Sequence, residues 1–137
     1  MQYNLINESN IHLLKKFIAN EKSESFRYYR NRSTDVIKNH ILTLILTGEN
    51  QNIIGYGHLD LEERVWLGIC ICEEFRRKGF GKTVMNYLIE YAKEKDIGDI
   101  YLTVDRNNTV AKALYEKYDF FVEEETDELF KMVRHTK

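Results

Sequence analysis

The chain has no proline, and its 137 residues include only seven glycines and two cysteines. The cysteines, Cys70 and Cys72, are separated by a single residue, a spacing that fits neither a disulfide framework nor a zinc pair. We therefore expect two buried structural thiols, no metal cofactor and, by default, a cytoplasmic protein.

Long hydrophobic runs are also missing. No apolar stretch approaches the roughly 20 residues that a membrane-spanning helix requires. The N-terminal sequence MQYNLINESN lacks both the basic and the apolar segment of a secretion signal. Neither a membrane partner nor secretion is expected.

The sequence has no excess of charge of either sign. Its 20 lysines and arginines oppose 22 aspartates and glutamates, which gives a formal net charge of −2. A nucleic-acid partner is therefore not expected. With 43% hydrophobic and 31% charged residues the composition is that of a globular protein, and the length predicts a single domain over residues 1–137.

Residues 65–92 carry the most informative pattern, a buried strand followed by a basic glycine loop and a helix. Residues 65–72 are apolar and uncharged, and residues 83–92 place their apolar side chains along one helical stripe. The loop between them contains Gly79, Gly81 and four basic side chains. Backbone N–H groups at a helix N-terminus are unpaired and partly positive, so the loop is a candidate phosphate site. The alternative is an ordinary strand-to-helix turn, and the spacing matches neither a P-loop nor a dinucleotide fingerprint.

The order of predicted elements defines the fold class. Hydrophobic periodicity predicts strands over residues 2–6, 41–47, 52–59, 65–72, 100–104, 120–122 and 129–134. Helices are predicted over residues 9–20, 33–40, 83–92 and 108–118, with Asn107 or Asn108 as the cap of the last one. Turns are expected at residues 60–64 and 123–128, and Gly98 is expected to end the third helix. This order predicts an α+β domain of three layers with a mixed sheet.

Two polar residues lie at the predicted end of the third strand. His58 and Asp60 share parity and should face the same side of the sheet. A histidine beside a carboxylate is a candidate acid/base pair, because the pKa of imidazole lies near neutrality. The alternative is a polar strand end that faces solvent.

The stretch after the first helix alternates aromatic and basic side chains. Phe26, Tyr28 and Tyr29 are interleaved with Arg27, Arg30 and Arg32. Such side chains can line a pocket for an anionic or polar ligand through stacking and forked hydrogen bonds. An amphipathic connector laid over the core is the alternative.

Two motifs follow the fourth and fifth predicted strands. The first is Arg76-x-x-Gly79-x-Gly81, and the second is Asn108-x-x-Ala111-x-x-Leu114-Tyr115-Glu116-Lys117 with Asp119-Phe120 after it. Together with the order of elements, these motifs resemble the GNAT superfamily of N-acetyltransferases, and the resemblance covers essentially the whole chain.

The resemblance implies a central sheet of six to seven mostly antiparallel strands with helices on both faces. It also implies transfer of acetyl from acetyl-CoA to a primary amine by direct attack in a ternary complex. Tyr115 matches the family's general acid for the departing thiolate. The loop amides would hold the CoA pyrophosphate, the fourth strand would pair with the pantetheine arm, and Asn108 would contact that arm. The implied cofactor-binding residues are Ile69, Cys70, Ile71, Arg76, Arg77, Lys78, Gly79, Phe80, Gly81, Lys82, Thr83 and Asn108.

The sequence departs from the family pattern at two positions. Asp119 stands where the motif has glycine, and aspartate tolerates the left-handed conformation that ends a helix. Thr103 stands where some related enzymes carry a glutamate base, and threonine cannot serve as that base. The proton acceptor is then His58, Asp60 or Glu73 acting through water, unless the amine arrives already neutral.

In the family, the acceptor site is built by the region between the first two helices and by the final strands. Arg27, Tyr28 and Arg30 are therefore the predicted substrate-binding residues, and they favour a small polar or anionic acceptor such as an amino acid, a peptide N-terminus or an amino sugar. The alternatives are an N-terminal acetyltransferase of the ribosomal-protein type and a CoA-binding regulatory module without turnover. A homodimer is implied only by analogy with relatives.

Overall fold

The computed structural model describes residues 1–21 and 26–135. It contains all the predicted strands and the first, third and fourth predicted helices, whereas the second, predicted over residues 33–40, is a 3-10 helix over Thr34–Asn39. Residues 22–25, which precede the aromatic-basic stretch, lie outside the described residues. The strands are β1 Gln2–Leu5, β2 His40–Thr47, β3 Ile53–Glu62, β4 Arg64–Ile71, β5 Ile100–Asp105, β6 Phe121–Glu125 and β7 Leu129–Arg134. The helices are α1 Ile11–Asn20, α2 Phe80–Glu94 and α3 Thr109–Lys117, with 3-10 turns at Thr34–Asn39, Glu49–Gln51 and Glu73–Phe75.

The described strands form one mixed sheet in the order β1-β2-β3-β4-β5-β7-β6. The pair β4–β5 is parallel, and the other pairs are antiparallel. The parallel pair is registered only at Val65↔Ile100 and Trp66↔Tyr101, so the two strands diverge towards their carboxyl ends. The predicted α+β class with a mixed, mostly antiparallel sheet is confirmed.

Side chains alternate along each strand, so the sheet has an apolar surface on each face. Helices cover both of these faces. On one face, α1 buries Leu14 and Phe17 against Ile45 and Tyr56. On the other face, α2 and α3 pack on the leucines of β2, β3 and β5. Gly57 lets α2 approach β3 closely, since a Cβ there would lie 2.6 Å from Val84 Cγ1. The result is the predicted three-layer arrangement.

The turn predicted at residues 60–64 is wrong. β3 continues to Glu62, and Glu63 alone, with φ 61°, turns the chain into β4. His58 and Asp60 therefore lie inside a strand that is paired on both sides, and they are 3% and 1% exposed. The acidic residues after His58 resemble a turn in the sequence, whereas the strand continues through them, burying Asp60 and leaving Glu62 exposed. The alternative of a polar strand end facing solvent is contradicted.

Three helix boundaries differ from the prediction. α1 begins at Ile11 rather than at residue 9. α2 begins at Phe80, so the second half of the glycine loop forms its first turn. The chain leaves α2 at Lys95, and Asp96 adopts the left-handed conformation (φ 53°) that was expected of Gly98. Gly81 lies inside this first turn, where a Cβ would be 3.1 Å from Leu114 Cδ2 of α3.

No helix in the described ranges is long and apolar enough to span a membrane.

Candidate active site

The divergence of β4 and β5 opens a cleft at the carboxyl ends of both strands. β4 is paired with β3 along its full length, up to Gly55↔Ile71. Its other edge has no strand partner after Trp66, so the stretch that contains Ile69, Cys70 and Ile71 borders the gap between β4 and β5. Such an edge suits an extended, amide-bearing ligand.

The glycine loop closes one end of this cleft. Arg77 (φ 65°) and Gly79 (φ 86°) are both left-handed, and Gly79 caps α2 without a side-chain hydrogen bond. The N–H groups of the first turn of α2 therefore point into open space, and a Cβ at Gly79 would meet nothing within 4 Å. This geometry fits a phosphate group at a helix N-terminus.

Two of the four basic side chains of the loop have structural contacts of their own. Arg76 Nε donates to the Ile71 carbonyl at 3.0 Å, and Lys78 lies 5.9 Å from the ring of Phe75. Thr83 Oγ1 donates to the Gly79 carbonyl at 3.3 Å. Arg76, Lys78 and Thr83 therefore help to fix the loop from which its backbone amides project.

α3 packs against the first turns of α2. Asn108 caps α3 by accepting from the Ala111 N–H at 3.2 Å, one of the two caps that the sequence predicts. Tyr118 at the other end of α3 donates to Asn86 at 2.6 Å, which ties the two helices together. Asp119 ends the helix with φ 71°, so its left-handed conformation is as predicted.

Tyr115 lies on α3 and belongs to the core between this helix and the sheet. The side chain is buried, and its ring lies 6.1 Å from that of Phe120. Burial, together with the nearby Cys70, raises the pKa of Tyr115 well above its ordinary value. The hydroxyl therefore holds its proton at neutral pH, which is the state that a general acid requires.

Cys70 lies in β4 at the edge of the same cleft and contacts an acidic residue. Its Sγ donates to Glu21 Oε2 at 3.0 Å, and burial together with Glu21 raises the pKa of the thiol. Burial raises the pKa of Cys72 to about 11. Both cysteines are free thiols that stay protonated at neutral pH.

Glu21 is a residue that the sequence does not single out. It follows the last residue of α1, and 49 residues separate it from Cys70. The available signal in the sequence is its position between the first helix and the aromatic-basic stretch, which is weak. Folding brings its carboxylate to the strand that lines the cleft.

His58 belongs to a buried chain of hydroxyl groups. Its Nδ1 is 2.5 Å from the Tyr56 hydroxyl, which is 2.7 Å from the Tyr29 hydroxyl. Burial, and then His40 and Arg32, lowers the pKa of His58 well below its ordinary value. His58 is therefore neutral at pH 7. The ring lies over Gly68 of β4, where a Cβ would be 2.5 Å from Nε2.

Asp60 faces the same side as His58 but bonds to a different group. Tyr28 donates its hydroxyl to Asp60 Oδ2 at 2.8 Å, and the Tyr28 ring lies 4.4 Å from that of His58. Asp60 Oδ1 is buried and has no hydrogen-bond partner among the described residues. Tyr28 thus stands between the two members of the candidate acid/base pair.

A cavity of about 640 Å³ lies at the end of β5. Arg27 Nη2 and Asp105 Oδ1 form an ion pair of 2.8 Å at its wall. Arg30 is exposed, and its N–H donates to the Arg27 carbonyl at 3.1 Å. The lining residues are Arg27, Asp105, Arg106, Asn107, Asp127 and Glu128.

Metal-ligating groups are not clustered in the part of the chain that the structure describes. No set of three or more histidine, cysteine, aspartate or glutamate side chains has an arrangement that could hold an ion.

Comparison with known proteins identifies the family. The acetyltransferase (GNAT) family model matches residues 7–120, which is most of the chain. The chain therefore belongs to the GNAT family of acyltransferases.

Individual curated relatives match only part of the chain. The ribosomal protein bS18-alanine N-acetyltransferase of Haemophilus influenzae is 36% identical over 74 residues, which make up 53% of this chain and 50% of that protein. The chain spans half or less of the length of the curated relatives that it matches.

Solved structures share the fold at low identity. A GNAT-family acetyltransferase from Streptococcus pneumoniae has a TM-score of 0.82 at 17% identity, covering 99% of both chains. The PaiA N-acetyltransferase from Thermoplasma acidophilum, solved in complex with coenzyme A, has a TM-score of 0.70 at 19% identity, covering 99% of this chain and 100% of that one.

Proposed function

We propose that the protein transfers the acetyl group of acetyl-CoA to the primary amine of a small polar or anionic acceptor. The observation that carries this proposal is the divergence of β4 from β5, with the N-terminus of α2 following β4 and with Tyr115 of α3 close enough to Cys70 of β4 to interact electrostatically. Membership of an acetyltransferase family supports the same reaction.

The residues around the cleft fit coenzyme A. The amides from Arg77 to Lys82 would bind the pyrophosphate, and the free edge of Ile69, Cys70 and Ile71 would bind the pantetheine amides. Asn108 would contact the same arm. When bound, acetyl-CoA supplies the acetyl group as an activated thioester.

Residues of the chain would donate and accept the protons that the reaction requires. Tyr115 holds a proton at its hydroxyl and would deliver it to the leaving sulfur. An amine must lose a proton before it can act as a nucleophile, and a neutral imidazole can accept one. His58 is neutral, and its partner Tyr56 lies opposite Cys70 in the sheet register, so it is one candidate acceptor, although burial lowers its pKa and makes the imidazole a weak base. Glu21, beside Cys70, is a second candidate.

Asp60 is a weaker candidate for the base. Its Oδ2 already accepts a hydrogen bond from Tyr28, and its side chain is 1% exposed. The prediction for Asp60 as a base is untested, and a structural role agrees better with its surroundings.

The acceptor would enter at the cavity beside Arg27 and Asp105. Arg27 offers a guanidinium for an acceptor carboxylate or phosphate, whereas Asp105 offers a carboxylate for an amine. A peptide N-terminus is the second candidate acceptor, and it is favoured by the similarity to a ribosomal protein bS18-alanine N-acetyltransferase.

A panel of amines tests the proposal. We expect the purified protein to release free CoA thiol from acetyl-CoA in the presence of amino acids, short peptides or amino sugars, as measured with a sulfhydryl reagent. Binding of acetyl-CoA without thiol release for any amine would contradict the enzymatic function and would favour a CoA-binding regulatory module.

A further inference from the structure

Residues 26–29, called here the bridging segment, connect the two halves of the diverging sheet. On the β1–β4 side, the Phe26 ring packs 5.3 Å from the ring of Tyr56, and the Tyr29 hydroxyl is 2.7 Å from that of Tyr56. On the β5 side, Arg27 forms its 2.8 Å ion pair with Asp105. The segment therefore crosses the cleft at the acceptor cavity.

A chain of hydrogen bonds holds the bridging segment, and Asp60 is its final acceptor. The bond from Tyr28 to Asp60 is called here the anchor. Tyr28 has one hydroxyl proton, and it donates this proton to Asp60 Oδ2. His40 Nε2, 2.7 Å from the Tyr28 hydroxyl, must then be the donor of its contact, so His40 Nδ1 accepts from Thr43 Oγ1 at 2.7 Å. This assignment requires a neutral His40, and burial lowers its pKa to about 4.

The anchor is shielded because its acceptor is buried. A hydrogen bond is stronger in a buried, low-dielectric site than in water, and the low exposure of Asp60 protects this bond from water. Arg32 lies over the outer face of the Tyr28 ring, with Cζ 4.3 Å from the ring centroid. Tyr28 is thus held at its hydroxyl and on its ring face.

Arg27 depends on this anchor because it is the residue next to Tyr28. Its side chain is 50% exposed, so the ion pair with Asp105 is solvated and contributes little to fixing the guanidinium. The buried Tyr28–Asp60 bond fixes the backbone from which Arg27 projects.

We propose that Asp60 is a positioning residue that, through Tyr28, holds Arg27 at the acceptor cavity and thereby sets the affinity for acceptors that carry a carboxylate. This inference rests on the proposed function. It assigns to Asp60 a role in acceptor binding, whereas sequence reasoning made it a candidate base.

Kinetics with a matched acceptor pair test the proposal. Tyr28→Phe removes the donor to Asp60, and we expect it to raise KM for L-alanine about tenfold relative to KM for L-alaninamide, which lacks the carboxylate. The affinity for acetyl-CoA should stay unchanged. Asp60→Ala should act like Tyr28→Phe, whereas Asp60→Asn, which retains an acceptor for the Tyr28 hydroxyl, should largely preserve the wild-type ratio.

A double mutant separates positioning from general destabilisation. If Tyr28 acts through Arg27, Tyr28→Phe should have no further effect on the KM ratio in an Arg27→Ala background. The control Thr47→Val removes a part-buried hydrogen bond, which Asn4 donates to Thr47 Oγ1 where β1 pairs with the end of β2. An unchanged KM ratio in Tyr28→Phe, or an equal change in Thr47→Val, overturns the proposal.

A second measurement does not require turnover. Release of the anchor should expose the bridging segment, so trypsin should cleave after Arg27 and Arg30 several times faster in Tyr28→Phe than in Thr47→Val. Equal cleavage rates overturn the anchor. Absence of thiol release by the wild-type protein, with faster cleavage in Tyr28→Phe, would refute the proposed function while supporting the anchor.

Discussion

The packing of the His58 ring against Gly68 can be tested by adding a single methyl group at position 68. In Gly68→Ala, the new Cβ would lie 2.5 Å from His58 Nε2 and 2.6 Å from Cε1, distances at which one of the groups must move. The His58 ring has little room to move, because the rings of Tyr28 and His40 lie 4.4 and 4.7 Å away. Any displacement also disturbs the 2.5 Å contact between Nδ1 and the Tyr56 hydroxyl.

Three contributions determine how much Gly68→Ala changes the free energy of unfolding. Overpacking costs about 1–3 kcal/mol, and disruption of a buried hydrogen bond adds about 1–3 kcal/mol. The lower backbone entropy of the unfolded alanine variant returns about 0.4–1 kcal/mol. We expect Gly68→Ala to lower the free energy of unfolding by about 2–4 kcal/mol, measured by urea denaturation with an unchanged m-value.

Gly98→Ala is the matched control. A Cβ at Gly98 would meet nothing within 4 Å, and Gly98 is not among the residues with positive φ. This variant should be neutral or stabilised by up to about 1 kcal/mol. Equal stability of the two variants would show that the His58 ring is not packed against Gly68, and it would refute the geometry on which the buried hydroxyl chain depends.

Three other predictions concern the cleft and its protons. Tyr115→Phe should lower kcat about 10–100-fold with little change in acetyl-CoA affinity, and unchanged turnover would remove Tyr115 from the reaction. Gly79→Ala places a side chain at φ 86° and should weaken acetyl-CoA binding, as measured by calorimetry, at a stability cost of about 1–2 kcal/mol; wild-type affinity would contradict phosphate binding by this loop. Burial lowers the His40 pKa from 6.5 to about 4, so between these pH values the unfolded chain binds a proton at His40 more readily than the folded chain does. The contribution of His40 to the free energy of unfolding should therefore be constant above pH 6.5 and should decrease as the pH falls towards 4. The free energy of unfolding should then fall more steeply with decreasing pH in the wild-type protein than in His40→Asn, and equal slopes in the two proteins would refute the lowered pKa of His40.

Local patterns predicted the parts of the site that depend on neighbouring residues. The Asn108 cap and the left-handed Asp119 both follow from side-chain chemistry acting within a few residues, and the structure has both. The alternation of strand residues placed His58 and Asp60 on one side, although their burial was missed. Acidic residues favour turns in general, and only pairing with strands on both sides buries Asp60.

Contacts between residues that are far apart in the sequence could not be predicted from the sequence. The ion pair of Arg27 with Asp105 joins residues 78 positions apart, and the Tyr28–Asp60 bond joins residues 32 apart. Each of these depends on how α1 and the following segment lie across the sheet. No local propensity encodes that placement, so the sequence identified the basic and aromatic residues without their partners.

The two-position register between β4 and β5 has a consequence for solution behaviour. Beyond Trp66, β4 is an edge strand located in the middle of a sheet, and unpaired strand edges recruit other chains. In the proposed complex, the pantetheine amides cover this edge as an additional strand would. Coenzyme A would then protect the protein against self-association, in addition to carrying the acetyl group.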